Sequence, residues 1–253
     1  MDSTLIILCI VAFFAGFIDA IVGGGGLIQT PAGLLLLPNE PVARVIGSLK
    51  VPAFTGTFFA ARNYLKLIKI PLSRILLFTS VAFTAAFIGS YCLTQMSNQF
   101  MKPILIVVLL AIALYTYFKK DLGLRVAINE PIFPWYKGVA ICLGLGFYDG
   151  FIGPGAGALL VLAFISSLGF DFLQANAHAK LVNLATNLGS ILLFILKGSI
   201  LWSIAIPMAC CNAIGGIVGS KMAVKKGNKF IRTLFLLVII ATLCRLGYDV
   251  FLH

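Results

Sequence analysis

Asp19, Lys50, Asp149 and Lys180 each stand inside a long apolar stretch. At the centre of a membrane-spanning helix such a charge costs about 2.5–3.5 kcal/mol on insertion scales, so each is a functional candidate by default. They form two like pairs at a spacing of 130 residues, Asp19 with Asp149 and Lys50 with Lys180. A carboxylate there can carry a proton or balance a cation, and an ammonium can offset the charge of an anionic substrate. Two plainer roles compete: an Asp–Lys ion pair that fastens one segment to its neighbour, or a lysine that snorkels to an interface.

Around Lys180 the chain adds hydrogen-bonding capacity. Asn176, Lys180, Asn183 and Asn187 are spaced i, i+4, i+7, i+11 and share one face of a helix. Facing a cavity, a cation flanked by neutral amides suits an oxyanion; the alternative is interhelical hydrogen bonding. The matching first-half positions, Ile46, Lys50, Ala53 and Thr57, are less polar. His178 lies off this stripe. It titrates near neutrality and is a candidate for a coupling proton, against the commoner role of a packed hydrogen-bonding histidine. Arg245 and Asp249 read as a local i, i+4 ion pair.

Two glycine runs interrupt apolar segments: Gly23, Gly24, Gly25 and Gly26 in the first half, Gly153, Gly155 and Gly157 around Pro154 in the second. Helices restarting after them, at Leu27 and Ala158, would aim unpaired backbone N–H groups and a positive dipole end into the protein. That is how helix N-termini bind anions, and glycine lets a ligand approach the backbone closely.

The elements that position these groups follow from an internal repeat. Shifted by 130 residues, the chain aligns with itself without a gap: Gly16, Phe17, Asp19, Gly23 and Gly25 fall on Gly146, Phe147, Asp149, Gly153 and Gly155, and Gly89-Ser90 falls on Gly219-Ser220. Coincidence at apolar positions is cheap; coincidence at intramembrane Asp and Lys is not. Ala85-x3-Gly89 and Gly215-x3-Gly219 are small-xxx-small patterns for close helix packing.

With 60% hydrophobic and 11% charged residues, the chain has too little polar surface for water and reads as a polytopic membrane protein. Its net charge of +11 is concentrated in short loops, which excludes a nucleic-acid groove and fits the positive-inside rule. The basic residues Arg62, Lys66, Lys69 and Arg74 follow one crossing of the first half. In the second half the cluster Lys221, Lys225, Lys226, Lys229 and Arg232 follows the next crossing instead. If both clusters are cytoplasmic, the halves have opposite orientation.

The expected fold is therefore an all-α integral membrane protein of two inverted-topology repeats, each a broken helical hairpin plus three transmembrane helices. Residues 1–118 form the first repeat, 119–137 a cytoplasmic connector and 138–253 the second repeat. The ordinary crossings are 42–62, 74–94, 102–118, 172–196, 200–221 and 230–252. The hairpins are 4–37 and 138–168; the second, 31 residues or ~46 Å of helix, is too short to cross and return, so its arms reach only part-way. Both termini fall outside. The start, Met1-Asp2-Ser3-Thr4, carries no basic residue and predicts no cleaved signal peptide. The six cysteines have no metal-ligand spacing and read as packing residues, so no metal and no cofactor are expected.

Two copies of the pattern G-F-x-D-x-hydrophobic-hydrophobic-G-x-G (Gly16–Gly25, Gly146–Gly155) and the run A-x-A-K-L-V-N-x3-N (Ala177–Asn187) resemble the TauE/SafE family of sulfite and organosulfonate exporters across essentially the whole chain. The resemblance implies a bacterial inner-membrane permease for small sulfur oxyanions or sulfonates. It also implies a site at Gly23, Gly25, Gly153, Gly155, Lys180 and Asn183. Pro154 departs from the usual all-glycine run. The expected activity is secondary transport, the export of a small anion by alternating access, with Asp19, Asp149 or His178 carrying a coupled proton or balancing charge. Expected partners are the anion, the lipid bilayer and, as one option, a second copy in a homodimer. A passive anion channel and a membrane assembly or chaperone factor are the alternatives. An intramembrane enzyme is disfavoured because no Ser/His or metal constellation accompanies the charges.

Overall fold

The computed structural model describes residues 3–96 and 135–251, with side chains as far as Leu234 except Arg232. The predicted crossing at 102–118 and most of the connector lie outside the described residues. Every regular element described is an α-helix. In chain order they are α1 (Ser3–Val22), α2 (Gly25–Leu36), α3 (Val42–Leu65), α4 (Leu72–Gln95), α5 (Trp135–Phe151), α6 (Ala156–Leu168), α7 (Phe172–Leu196) and α8 (Trp202–Phe251).

Among the described residues, four stretches are long and apolar enough to cross a membrane: Ser3–Val22, Leu72–Gln95, Phe172–Leu196 and Trp202–Ile231. On α1 the face bearing Ile6, Ile7, Ile10 and Phe14 is exposed, while Leu8, Ala12 and Ala15 on the other side are fully buried. Leu72, Leu76 and Ile88 on α4 and Leu188, Leu192 and Ile195 on α7 are likewise exposed. An apolar outer surface of this extent belongs against lipid tails, since contiguous apolar patches are small on water-soluble monomers.

Several boundaries differ from the sequence expectation. The hairpin arms are unequal: α1 has 20 residues and α2 only 12, α5 has 17 and α6 only 13. At 1.5 Å per residue α1 is ~30 Å long and α2 ~18 Å, so the two arms of the first hairpin differ in reach. The restarted helices begin at Gly25 and Ala156 rather than at Leu27 and Ala158, because glycine and alanine enter a first turn without steric cost. The crossings expected at 200–221 and 230–252 are two helices, as expected, but they meet directly at Gly227, whose dihedrals (φ 71°, ψ −166°) break the helix without an intervening loop. The Lys-rich stretch between them looked like a loop by charge alone, yet lysine is a good helix former and only Gly227 breaks the regular dihedrals.

Several helix crossings are packed closely at glycines. A Cβ on Gly89 of α4 would lie 2.2 Å from the Phe147 carbonyl oxygen of α5, and one on Gly219 of α8 would lie 2.3 Å from the Phe17 carbonyl oxygen of α1. Residues 89 and 219, like 17 and 147, are 130 apart. The same close contact therefore occurs twice, each time joining a hairpin arm of one half to a helix of the other. Small residues at such crossings let backbones approach where lipid supplies no hydrophobic drive.

Candidate functional site

Each hairpin changes direction at glycines in the left-handed region: Gly23 (φ 79°) between α1 and α2, Gly153 (φ 91°) and Gly155 (φ 78°) between α5 and α6. Side chains with a Cβ are strained there, which is why the runs are glycine-rich. The two breaks touch. A Cβ on Gly23 would lie 2.4 Å from the Gly157 carbonyl carbon, and one on Gly26 would lie 3.2 Å from the Pro154 Cα. Backbone meets backbone, as non-helical chain at membrane depth requires: it must be covered by protein or line a watery cavity.

The four intramembrane charges form two crossed ion pairs. Lys50 Nζ on α3 donates to the Asp149 carboxylate at 2.7 Å and to the Asp149 backbone carbonyl at 2.6 Å. Lys180 Nζ on α7 donates to the Asp19 carboxylate at 2.8 Å and also to the Asp19 backbone carbonyl. Each ammonium thus neutralises a carboxylate and adds a bond to a carbonyl in the last turn of the helix carrying it, where the dipole is negative. Hydroxyls complete the shells: Thr57 Oγ1 donates to Asp19 at 3.4 Å, and Thr186 Oγ1 to Asp149. The ion pair weighed as a plain alternative exists, and it joins the halves rather than neighbours within one half.

Between the breaks lies a cavity of ≈ 50 Å³ bordered by Asp19, Lys50, Asp149, Asn183 and Asn187, with Gly23, Gly25, Gly26, Gly153, Gly155 and Gly157 at its rim. A water needs about 10–15 Å³ by the same measure, so the space holds about four waters or one small polyatomic ion. Lys50 is 5% exposed and Lys180 only 1%.

The expected Asn-Lys-Asn-Asn stripe divides. Asn183 and Asn187 reach the cavity and bond to each other, Asn187 Nδ2 donating to Asn183 Oδ1 at 2.8 Å. Asn176 is fully buried about two turns from Asn183 along α7 and donates to the Phe172 carbonyl at 2.9 Å. Lys180 lies behind Asp19, which separates it from the cavity. Gly24 caps the start of α2 and does not border the space. His178 is elsewhere: its ring stacks on Phe170 at 4.4 Å, its Nδ1 faces the Gln174 carbonyl at 2.8 Å, and Phe164 flanks it.

Three polar residues at the cavity, Gln29, Thr30 and Asn212, escaped the sequence reading. Gln29 on α2 donates from Nε2 to the Leu49 carbonyl at 2.9 Å and accepts from Asn212 Nδ2 on α8 at 2.9 Å. Asn212 is pressed between Gly16 and Gly56, whose Cβ positions would lie 2.3 Å from its carbonyl oxygen and 1.9 Å from its Oδ1. The available signal was a lone amide in an apolar stretch. No charged or amide residue at helical spacing marks Gln29 or Asn212 as part of a polar face, and their repeat counterparts, Leu159 and Ala82, are apolar.

The description "Sulfite exporter TauE/SafE" belongs to a family whose model matches residues 8–246. A "Probable membrane transporter protein" of Haemophilus influenzae is 36% identical over 252 residues, 98% of this chain and 96% of that relative. The "Probable membrane transporter protein ORF9" of a Sinorhizobium species is 34% identical, covering 97% of this chain and 93% of its own length. The "Probable membrane transporter protein YfcA" of Escherichia coli K12 is 33% identical, covering 96% and 89%. No solved structure matches the chain significantly. A match along nearly the whole length, joined to a fold of apolar crossings around a polar break, makes this chain a multi-pass membrane protein of the TauE/SafE family of transporters.

Proposed function

We propose that the protein is a secondary transporter of small oxyanions, sulfite or the sulfonate group of an organic acid, working by alternating access around the cavity between the two breaks. The observation that carries this reading is the meeting of two glycine-kinked helix starts beside paired amides in a space the size of one such headgroup. Helix starts supply positive potential, Asn183 and Asn187 supply neutral hydrogen bonds, and the crossed Lys–Asp pairs leave the four intramembrane charges balanced without substrate. The recurrence of contacts at a spacing of 130 residues supports a two-fold relation between halves, and the swapped basic clusters favour inversion across the membrane. Inverted halves rocking about a central site are a recurrent transporter design. Residence in a bacterial inner membrane, with both termini outside, belongs to the same proposal.

Flux into proteoliposomes tests it. The wild-type protein should accumulate sulfite or taurine against its gradient when a pH gradient or membrane potential is imposed, and Asn187→Ala should reduce the rate about tenfold, the loss of one hydrogen bond to a charged ligand. Flux that only ever runs downhill would favour the channel alternative. Absence of flux for every anion tried would remove the proposal.

A further inference from the structure

The two helix starts are not equivalent, and the difference says where an anion goes. At α2 the first-turn N–H of Gly25 already has an anionic partner, donating to Asp19 Oδ1 at 3.3 Å. Thr57, which stands where the other half has Asn187, spends its hydroxyl on the same carboxylate. At α6 no carboxylate takes this place: Asp149 accepts from Lys50 and Thr186, and none of its described bonds comes from the α6 backbone. Instead, Asn183 points at the first turn, its Nδ2 3.0 Å from the Cβ position of Gly157. Asn183 is 7% exposed, and its Oδ1 accepts from Asn187 while its Nδ2 donates to no group among the described residues. An amide donor that borders the cavity without an acceptor, on a side chain more than nine-tenths buried and beside the start of a 13-residue helix, defines a place for an acceptor ligand. The counterparts of Asn183 and Gly157 at α2 are Ala53 and Leu27, which supply neither the amide nor the bare backbone.

We propose that the cavity has a single anion seat, formed by Asn183 Nδ2 and the first-turn N–H of Gly157 at α6, and that the Asp19 carboxylate permanently occupies the corresponding seat at α2. The protein therefore binds one oxyanion per chain, off the two-fold centre and toward the second half. Asp19 acts as a built-in competitor that keeps the α2 end closed to a second ion. This deepens the transport reading above and rests on it.

Isothermal titration of the purified full-length protein in detergent, with sulfate and methanesulfonate as probes, tests the asymmetry. The wild-type chain should bind one ion. Asn183→Leu should weaken binding about tenfold or more, and Asn183→Ala provides the same readout if the leucine variant is poorly folded. Asp19→Ala should admit a second ion, since it vacates the α2 seat and uncovers Lys180; if that variant is unstable alone, sulfate should raise its Tm more than it raises that of the wild type. Two ions per wild-type chain, or an affinity indifferent to Asn183, overturns the single seat and leaves anion transport standing. Failure of the wild type to bind either probe removes the seat and the reading beneath it together.

Discussion

Gly23→Ala should abolish transport while leaving a folded but less stable protein. Alanine at φ 79° costs about 1–3 kcal/mol of backbone strain. The added methyl would also lie 2.4 Å from the Gly157 carbonyl carbon, an overlap with backbone that no rotamer relieves. Forcing the breaks apart costs about another 1–3 kcal/mol if the helices shift as they do in overpacked cores. The functional loss should exceed the stability loss, because the shift falls on the cavity rim itself. Gly144→Ala is the matched control: it lies in α5 on the exposed side with nothing within 4 Å of its Cβ position, and should leave both flux and Tm near wild type. Flux from Gly23→Ala equal to that of the control would mean that the contact between breaks is incidental.

The second large effect concerns the crossed ion pairs. Lys50→Met removes the cation from a carboxylate whose side chain is 4% exposed, and should destabilise the protein by about 3–5 kcal/mol because Asp149 is left charged and buried. Lys50→Met combined with Asp149→Leu should recover most of that stability, since buried pairs are often replaceable by apolar residues of similar volume. Thr186 would keep a partner in the double variant, as its hydroxyl also donates to the Asn183 carbonyl at 2.9 Å. Transport should stay lost in both variants if the pair must exchange partners during the cycle. Thermal unfolding in detergent and flux in liposomes separate these outcomes. A double variant no more stable than the single one would show that the pair does not fasten α3 to α5.

Much of this arrangement was legible in residue types. Intramembrane Asp and Lys at a fixed spacing disclosed both the repeat and the four charges of the site, because such residues are too costly to recur by accident. Glycine runs inside apolar segments disclosed the breaks, since left-handed turns need glycine. The span of α7 matched its expected limits at both ends, Phe172 and Leu196. What stayed hidden was tertiary. Nothing in the sequence says that Asp19 pairs with Lys180 rather than Lys50, because partner choice depends on how hairpins thread between halves. The i, i+4, i+7, i+11 rule placed Asn176 and Lys180 on the cavity face with Asn183 and Asn187. Asp19 covers Lys180, and Asn176 lies beyond the cavity's end along the same helix. Gln29 and Asn212 were missed because each is a lone amide in an apolar stretch, with no charged or amide residue at helical spacing to mark a polar face as Lys180 does for Asn183 and Asn187.

Solvent access to the space between the breaks is the most direct measure of the whole account. Ala53 borders that space, and Ala53→Cys in a variant with the six native cysteines replaced puts one thiol there. A membrane-impermeant methanethiosulfonate reagent should modify it when applied to either side of sealed vesicles, and sulfate or methanesulfonate should slow the reaction from both. A thiol reached from one side only, or modified at a rate no anion changes, would contradict an alternating anion site at the meeting of the two glycine breaks.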